Sequence, residues 1–156
     1  MCIFRRRKLN WHRTIEEENA IVGYRVMTLT ATGIFESPVQ GTRWLKDTRK
    51  EKKIGGAGTV NDQYHLRFNP GIHCMNSKTG AKNTQHVGYR HVLVRVLMWG
   101  DVYSFSGRKV GYDYSTGYPG YLAQNVRIDV IVKMGADRSR ALKEMKKRYP
   151  NVKVEL

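Results

Sequence analysis

The sequence has few cysteines and no long apolar run. Its 156 residues include two cysteines, Cys2 and Cys74. Two cysteines do not make a disulfide framework, so a reducing compartment, the cytoplasm, is expected. No apolar run approaches the roughly 20 residues that a membrane-spanning helix needs, and no membrane partner is expected. The basic start of the chain is not followed by an apolar stretch, so no secretory signal is predicted.

Acidic residues are also scarce. The chain has 28 Lys and Arg against 13 Asp and Glu, a net charge of +15. The carboxylates of the predicted core, Asp101, Asp113 and Asp129, form no pair spaced for acid–base catalysis or for a metal ion. The cationic excess concentrates polyanions near the surface. It favours nucleic acid, a nucleoprotein complex or an acidic protein surface as partner, against the alternative of a solvated surface with no ligand.

The five histidines and two cysteines do not fit a metal-binding frame. No Cys-x-x-Cys pair is present, and the histidine spacings match no common zinc site, so no metal and no cofactor are predicted. His73 and Cys74 are adjacent. Neighbouring residues of an extended strand point to opposite faces, so this pair is not expected to act as base and nucleophile. No catalytic residue is assigned.

The apolar segment at residues 92–99 is the centre of the predicted fold. It is rich in valine and leucine, and both of its residue parities are largely apolar, which is typical of a central strand covered on both faces. Gly100 is expected to break this strand. After a Gly- and Tyr-rich excursion at 106–120, residues 121–133 alternate apolar and charged side chains toward their end. This alternation predicts a second strand with one buried face.

The C-terminal segment predicts the only clear helix. Leu142, Met145 and Tyr149 recur at helical spacing over residues 138–149, with Asp137 as the expected cap and Pro150 as the stop. The other predicted elements are a helical turn at 15–20, strands at 20–30, 34–35, 62–68 and 152–156, an exposed basic loop at 43–58 and a polar loop at 76–88.

Together these segments predict an α+β fold: a mainly antiparallel sheet of five to seven strands with one C-terminal helix and long basic loops. We expect a single domain over residues 1–156, in which a basic N-terminal arm at 1–13 precedes a globular part at 14–156. Strand, helix and strand over 121–156 permit a parallel crossover.

Clusters of Lys and Arg mark the expected contact regions. In the arm, Trp11 lies among cations, a pattern suited to phosphate binding and base stacking; the alternative is a solvated terminus. In the excursion at 106–120, cations alternate with tyrosines, which suits base stacking or a protein interface; the alternative is a hairpin packed on the sheet. The predicted nucleic-acid-binding residues are Arg5, Arg6, Arg7, Lys8, Trp11, Lys50, Lys52, Lys53, Arg108, Lys109, Lys143, Lys146 and Lys147.

Three groups of residues resemble a family of small bacterial and phage proteins with no settled activity. The groups are Gly23-Tyr24-Arg25-Val26 with Ser37-Pro38-Val39-Gln40-Gly41-Thr42-Arg43-Trp44, then Gly71-Ile72-His73-Cys74, and finally Val96-Leu97-Met98-Trp99-Gly100-Asp101-Val102 with Gly120-Tyr121-Leu122-Ala123-Gln124. The resemblance covers about residues 23–133, with two long insertions at 46–61 and 106–119.

The strand arrangement of that family resembles ADP-ribosyltransferase domains, which use a late acidic residue. Gln124 stands at the position of that acid and Leu122 at that of the family's arginine. The resemblance therefore implies that any such activity is absent or altered here. A phage origin would favour an anti-defence or nucleoprotein-binding role in the cytoplasm of the host cell.

The leading functional expectation is a non-enzymatic, basic module that binds nucleic acid or a nucleoprotein complex. No helix-turn-helix or finger motif is present, so little sequence preference is expected. Two alternatives stay open: a protein-interaction or inhibitor module that uses its cationic face, and an enzyme similar to ADP-ribosyltransferases.

Overall fold

The computed structural model describes residues 6–38, 41–52, 54, 64–65, 71–109 and 118–156, with only the backbone given for 6–8, 64–65 and 107–109. Within these residues the chain forms nine strands, two α-helices and a short 3-10 helix at Glu17–Asn19. The strands are β1 Arg6–Ile15, β2 Ile21–Leu29, β3 Phe35–Glu36, β4 Thr48–Lys50, β5 Tyr64–His65, β6 Ile72–Met75, β7 His91–Lys109, β8 Gly120–Met134 and β9 Lys153–Val154, and the helices are α1 Lys78–Thr84 and α2 Ser139–Arg148.

The sheet is mainly antiparallel, which confirms the predicted α+β class. Among the described strands, only β9 pairs in parallel, with β8, and α2 connects the two strands. The described strands outnumber the five to seven expected, because several short strands pair along the two long ones. The expectation of one helix was also too low, since α1 lies in the segment predicted to be a polar loop.

β7 and β8 form a long antiparallel pair, and five of the other described strands pair directly with it. Their pairing extends from Val92 opposite Met134 to Phe105 opposite Gly120. The second edge of β7 is occupied by β2 along its first half and by β1 along its second half. The second edge of β8 is occupied in turn by β6, β4 and β9. The central position predicted for residues 92–99 is therefore confirmed.

Four of the strands also pair in a closed ring. β2 pairs with β7, β7 with β8, β8 with β6, and β6 returns to β2 where Tyr24 lies opposite Met75. Closure of this kind leaves no open edge among the four strands, as in a small barrel. It also places β2 and its following turn beside the start of β7.

Gly100 does not break β7 but bends it. The backbone there has a φ of +79°, and the register with β8 shifts between Trp99 and Val102. A side chain at this position would meet the amide groups of Asn125 and Gln124, at 2.4 and 2.6 Å from its Cβ. A left-handed residue at a shift in register is a β-bulge, a device that lets a long strand turn while it stays paired.

Apolar side chains pack on both faces of the sheet. Neighbours such as Leu93 and Val94 belong to different clusters because consecutive strand residues point to opposite faces. The larger cluster joins the sheet to α2, and its buried members include Met27, Phe35, Trp44, Val96, Met98, Ile128, Ala141, Met145 and Tyr149. The smaller cluster joins the sheet to α1, and its buried members are Val26, Met75, Ala81, Leu93, Phe105 and Leu122.

Candidate nucleic-acid interface

The basic face of α2 is the clearest concentration of positive charge among the described residues. The helix carries five Lys and Arg against one acid, Glu144. All five cations are exposed, whereas Ala141 and Met145 are buried against the sheet. We call this surface the α2 basic face; it consists of Arg140, Lys143, Lys146, Lys147 and Arg148.

The apolar residues of α2 explain why the cations face outward. Ala141, Met145 and Tyr149 recur every four residues and dock on the larger core cluster. Arg140, Lys143 and Lys147 therefore lie on the opposite side of the helix. The helix itself was predicted correctly, except that its cap is Arg138 rather than Asp137, and no side chain caps it.

Few acids neutralise the α2 basic face. Within the described part of the chain, Arg140, Lys143 and Lys146 form no ion pair, and Lys147 contacts Glu144 at 3.4 Å. Arg148 instead donates a hydrogen bond to the Thr32 carbonyl at 2.9 Å. Elsewhere in the described residues, ion pairs join Arg43 to Glu36, Arg49 to Glu51, Arg95 to Asp129 and Arg127 to Glu17.

The predicted N-terminal arm is wrong for residues 6–13, because they belong to β1. Hydrogen bonding to β7 continues from Arg7 to Ile15, where the long β7 strand extends beyond the end of β2. The backbones of Arg6, Arg7 and Lys8 are therefore fixed in the sheet, while Arg5 lies outside the described residues. The helical turn predicted at 15–20 is present at Glu17–Asn19, but the Thr14 hydroxyl donates to Asp101 instead of capping it.

Trp11 is partly packed against the larger core cluster and is not a free stacking surface. Its ring lies 6.1 Å from that of Tyr121, and the Arg13 guanidinium lies 4.6 Å from its centroid. These contacts cover part of the ring in the folded protein. The surface of Trp11 left for base stacking is therefore smaller than the prediction of a free arm implied.

The segment predicted as an exposed basic loop is attached to the sheet. Trp44 is buried in the larger core cluster, and Thr48–Lys50 pair with β8. Lys50 and Lys52 are exposed, as predicted. Lys53 lies outside the described residues, and the side chains of Arg108 and Lys109, at the end of β7, do as well.

A groove that the sequence did not suggest adjoins the start of α2. It has a volume of about 640 Å³ and is formed by the turn after β2, the residues before β7 and the first turn of α2. Tyr89 is 69% exposed in this groove. The Arg138 guanidinium lies 5.4 Å from the centroid of the Tyr89 ring. Arginines, threonines and acids share its lining, among them Arg90, Arg138, Arg140, Thr28, Thr30, Thr32, Glu36 and Asp137.

A second group of polar atoms surrounds Arg25, which is half-buried at the sheet. Its guanidinium donates hydrogen bonds to the His73 carbonyl at 2.5 Å and to the Ser37 hydroxyl at 3.1 Å. Burial lowers the pKa of Arg25 and raises the pKa of the Cys74 thiol to about 12. A thiol with so high a pKa is protonated at neutral pH and is a poor nucleophile. The hydrogen bonds of Arg25 join β2 to β6 and to Ser37, the residue after β3.

His12 and Asp101 form the most enzyme-like cluster on the surface. The Asp101 carboxylate lies 3.4 Å from His12 Nε2 and accepts a hydrogen bond from the Thr14 hydroxyl at 3.0 Å. Both groups contact the same carboxylate oxygen, so the imidazole is not placed to take a proton from the hydroxyl. The His12 ring stacks on Tyr103, with 4.0 Å between their centroids. The cluster therefore ties β1 to β7.

Gln124, which was expected to replace the acid of the resembled family, has a structural role. Its side-chain oxygen accepts a hydrogen bond from the Asp101 amide at 3.1 Å, and its carbonyl accepts one from the Glu51 amide at 2.9 Å. These bonds hold the bulge at Gly100 and the residue after β4. Leu122, at the position of the family's arginine, is fully buried.

No protein family model, curated protein or solved structure matches this chain. The described residues contain no group of three or more His, Cys, Asp or Glu side chains that could hold a metal ion. No described helix has the length and apolarity needed to cross a membrane. The α2 basic face and the groove beside it are the candidate contact surfaces in the described residues.

Proposed function

We propose that the chain is a non-enzymatic, basic module that binds nucleic acid or a nucleoprotein complex, with the α2 basic face as its main contact surface. One observation carries this proposal: five exposed cations with a single acid lie on one helix, and the core fixes the orientation of that helix. Cations held on a rigid element bind phosphates with less loss of conformational entropy than cations on a free terminus.

The spacing along α2 suits a row of phosphates. Arg140, Lys143 and Lys147 share the outward side, and seven residues of α-helix extend about 10 Å. Duplex DNA presents about six phosphate charges over that length. Such contacts hold the backbone and carry no sequence information, so binding of mixed sequences with similar affinity is expected.

Salt titration tests this proposal. The affinity of the protein for labelled DNA and RNA of mixed sequence would be measured by fluorescence anisotropy between about 50 and 200 mM salt. Binding should weaken linearly on a log–log plot, because each phosphate contact releases counterions. Absence of binding at the lowest salt, or an affinity that salt does not change, would overturn the proposal.

An acidic protein surface is the alternative partner for the same cations. Charge complementarity would then increase the association rate and select the partner. Capture from a cell lysate before and after nuclease treatment separates the two functions. Loss of all captured proteins after nuclease supports nucleic acid or nucleoprotein, whereas retention of one protein supports an inhibitor. Transfer of label from NAD to lysate proteins would instead support an enzyme similar to ADP-ribosyltransferases.

A further inference from the structure

The groove beside α2 combines features of a base-stacking site with those of a phosphate site. We infer that it takes one nucleotide of a single-stranded nucleic acid, whose base stacks on Tyr89 while its phosphates meet Arg90, Arg138 and Arg140. This inference depends on the proposed function, because it names the class of nucleic acid that the basic module prefers.

Tyr89 supplies the stacking surface. An aromatic ring that is 69% exposed loses contact with much water when a base covers it. The Arg138 guanidinium lies 5.4 Å from the ring centroid, and the 69% exposure of Tyr89 leaves ring surface open to a base beside this cation. In a duplex the bases are stacked within the helix, so a ring of this kind selects unpaired bases.

The walls of the groove are held in place before any ligand binds. Arg138 donates a hydrogen bond to the Leu29 carbonyl at 2.5 Å, and the Leu29 amide donates to the Arg90 carbonyl at 2.7 Å. Arg148 fixes the turn after β2 through the Thr32 carbonyl. These bonds come from the paired ends of β2 and β7 and from α2, which reduces the entropy lost when a ligand is ordered.

Size and charge both suit a nucleotide. The volume of about 640 Å³ falls within the range of about 300–1,000 Å³ that is usual for small-ligand sites. Three arginines line the groove against two acids, and one acid, Glu36, is already paired with Arg43 at 3.2 Å. The Thr30 and Thr32 hydroxyls lie 3.2 Å apart at the rim and can hydrogen-bond to phosphate or sugar oxygens.

The groove is continuous with the α2 basic face. Arg140 lines the groove and also belongs to that face, one helical turn before Lys143. A strand whose base occupies the groove can therefore continue along α2 through its following phosphates. This continuity favours a nucleic acid strand over a free nucleotide as the occupant.

The experiment compares Tyr89→Ala, Tyr89→Phe and the unchanged protein on three probes: a single strand of about 12 nucleotides, its duplex and adenosine monophosphate. Leu45→Ala is the matched control, because Leu45 is also an exposed apolar side chain, at 90%, and does not line the groove. Tyr89→Ala should weaken single-strand binding by about 5- to 100-fold, the loss of one stacked base, and duplex binding by less than about twofold. Tyr89→Phe and Leu45→Ala should bind as the unchanged protein does.

Several results would overturn the inference. The first is equal weakening of single-strand and duplex binding by Tyr89→Ala, and the second is no effect on either. The third is Tyr89-dependent binding of adenosine monophosphate that is as tight as that of the strand, which indicates a pocket for free nucleotides. Duplex binding with no preference for the single strand would refute this inference and leave the proposed function standing, whereas binding to no probe would refute both.

Discussion

The substitution Tyr149→Phe tests how α2 is fastened to the sheet. Tyr149 follows the last residue of α2 and is 3% exposed. Its hydroxyl donates a hydrogen bond to the Trp44 carbonyl at 2.6 Å and accepts one from the Phe35 amide at 3.1 Å. Phenylalanine keeps the ring and removes only the oxygen, so the larger core cluster keeps its packing while both hydrogen bonds are lost.

The expected cost follows from the two groups left behind. Both hydrogen bonds are buried, so water cannot replace the hydroxyl without a rearrangement. A buried donor or acceptor left without a partner costs about 1–3 kcal/mol. The phenylalanine ring recovers part of this cost because no hydroxyl has to be desolvated. We therefore expect the free energy of unfolding to fall by about 2–4 kcal/mol, a large share of the roughly 5–15 kcal/mol typical of a domain.

Urea unfolding measures this loss. The midpoint should fall while the dependence on urea stays the same, because the buried area hardly changes. Tyr89→Phe is the matched control: it removes the hydroxyl of an exposed tyrosine and should change the free energy of unfolding by less than about 0.5 kcal/mol. A loss below about 0.5 kcal/mol for Tyr149→Phe would refute the argument that this hydroxyl joins α2 to β3 and Trp44.

Two further predictions concern the packing of Gly33 and Cys74. Gly33 and Gly41 both have positive φ angles, but a Cβ at Gly33 would lie 2.3 Å from the Met145 backbone nitrogen, while one at Gly41 would meet no atom within 4 Å. Gly33→Ala should therefore destabilise the protein in urea clearly more than Gly41→Ala, whose left-handed backbone alone costs about 1–2 kcal/mol; equal costs would contradict the close approach of this turn to α2. Because burial raises the pKa of Cys74 from about 9 to about 12, the unfolded chain releases this proton first, and stability should fall as pH rises from 9 to 12. Cys74 should contribute at most about 1.4 kcal/mol per pH unit to this slope, so the slope should be shallower in Cys74→Ala by up to that amount; identical slopes in the two proteins would show that the thiol is not buried.

The long strands and α2 were predictable because apolar side chains within each segment recur at the spacing of a strand or of a helix. Residues 20–30 became β2 and residues 121–133 became most of β8, since apolar residues recur there at strand spacing. The period of Leu142, Met145 and Tyr149 likewise gave α2, and the parallel β9 followed it. In each case the local sequence and the tertiary packing favour the same structure.

Helix α1 was missed because it has almost no apolar face. Only Gly80 and Ala81 are buried in it, and both are too small to show an apolar period. Its start had a local signal, Ser77, whose hydroxyl accepts a hydrogen bond from the Gly80 amide at 3.0 Å. Caps of this kind are common also in turns, so packing of α1 against the smaller core cluster decides the helix.

Trp99 is more exposed, and Trp44 more buried, than the sequence predicts. Trp99, expected in the core, is only partly buried, and the Arg127 guanidinium lies 5.3 Å from its ring. Trp44, in a segment expected to be an exposed loop, is 2% exposed and belongs to the larger core cluster. The charges around Trp44 predict solvent, but β4 pairs with β8 and draws this segment onto the sheet.

The two parts of the candidate interface, the α2 basic face and the groove, differed in whether the sequence could predict them. Lys143, Lys146 and Lys147 could be predicted because the helical period of α2 places them outward. The groove could not, since Thr30, Tyr89 and Arg138 come from three segments that meet only when β2 pairs with β7 and α2 docks beside them. The exposed pair Tyr89-Arg90 was the local signal, and it lay at the end of a stretch interpreted as a polar loop.

Phosphate binding by α2 is tested most directly by the salt slope of nucleic-acid binding in the double variant Lys143→Gln/Lys146→Gln. The matched control is Lys78→Gln/Lys82→Gln, which removes the same two charges from exposed positions on α1, on the other side of the sheet. If α2 contacts phosphates, the first variant should reduce the magnitude of the log–log slope by about 1.4–1.8, at 0.7–0.9 for each lost contact, and the control should leave it unchanged. Equal slopes in the two variants would contradict the account, because binding would then follow net charge rather than the α2 basic face.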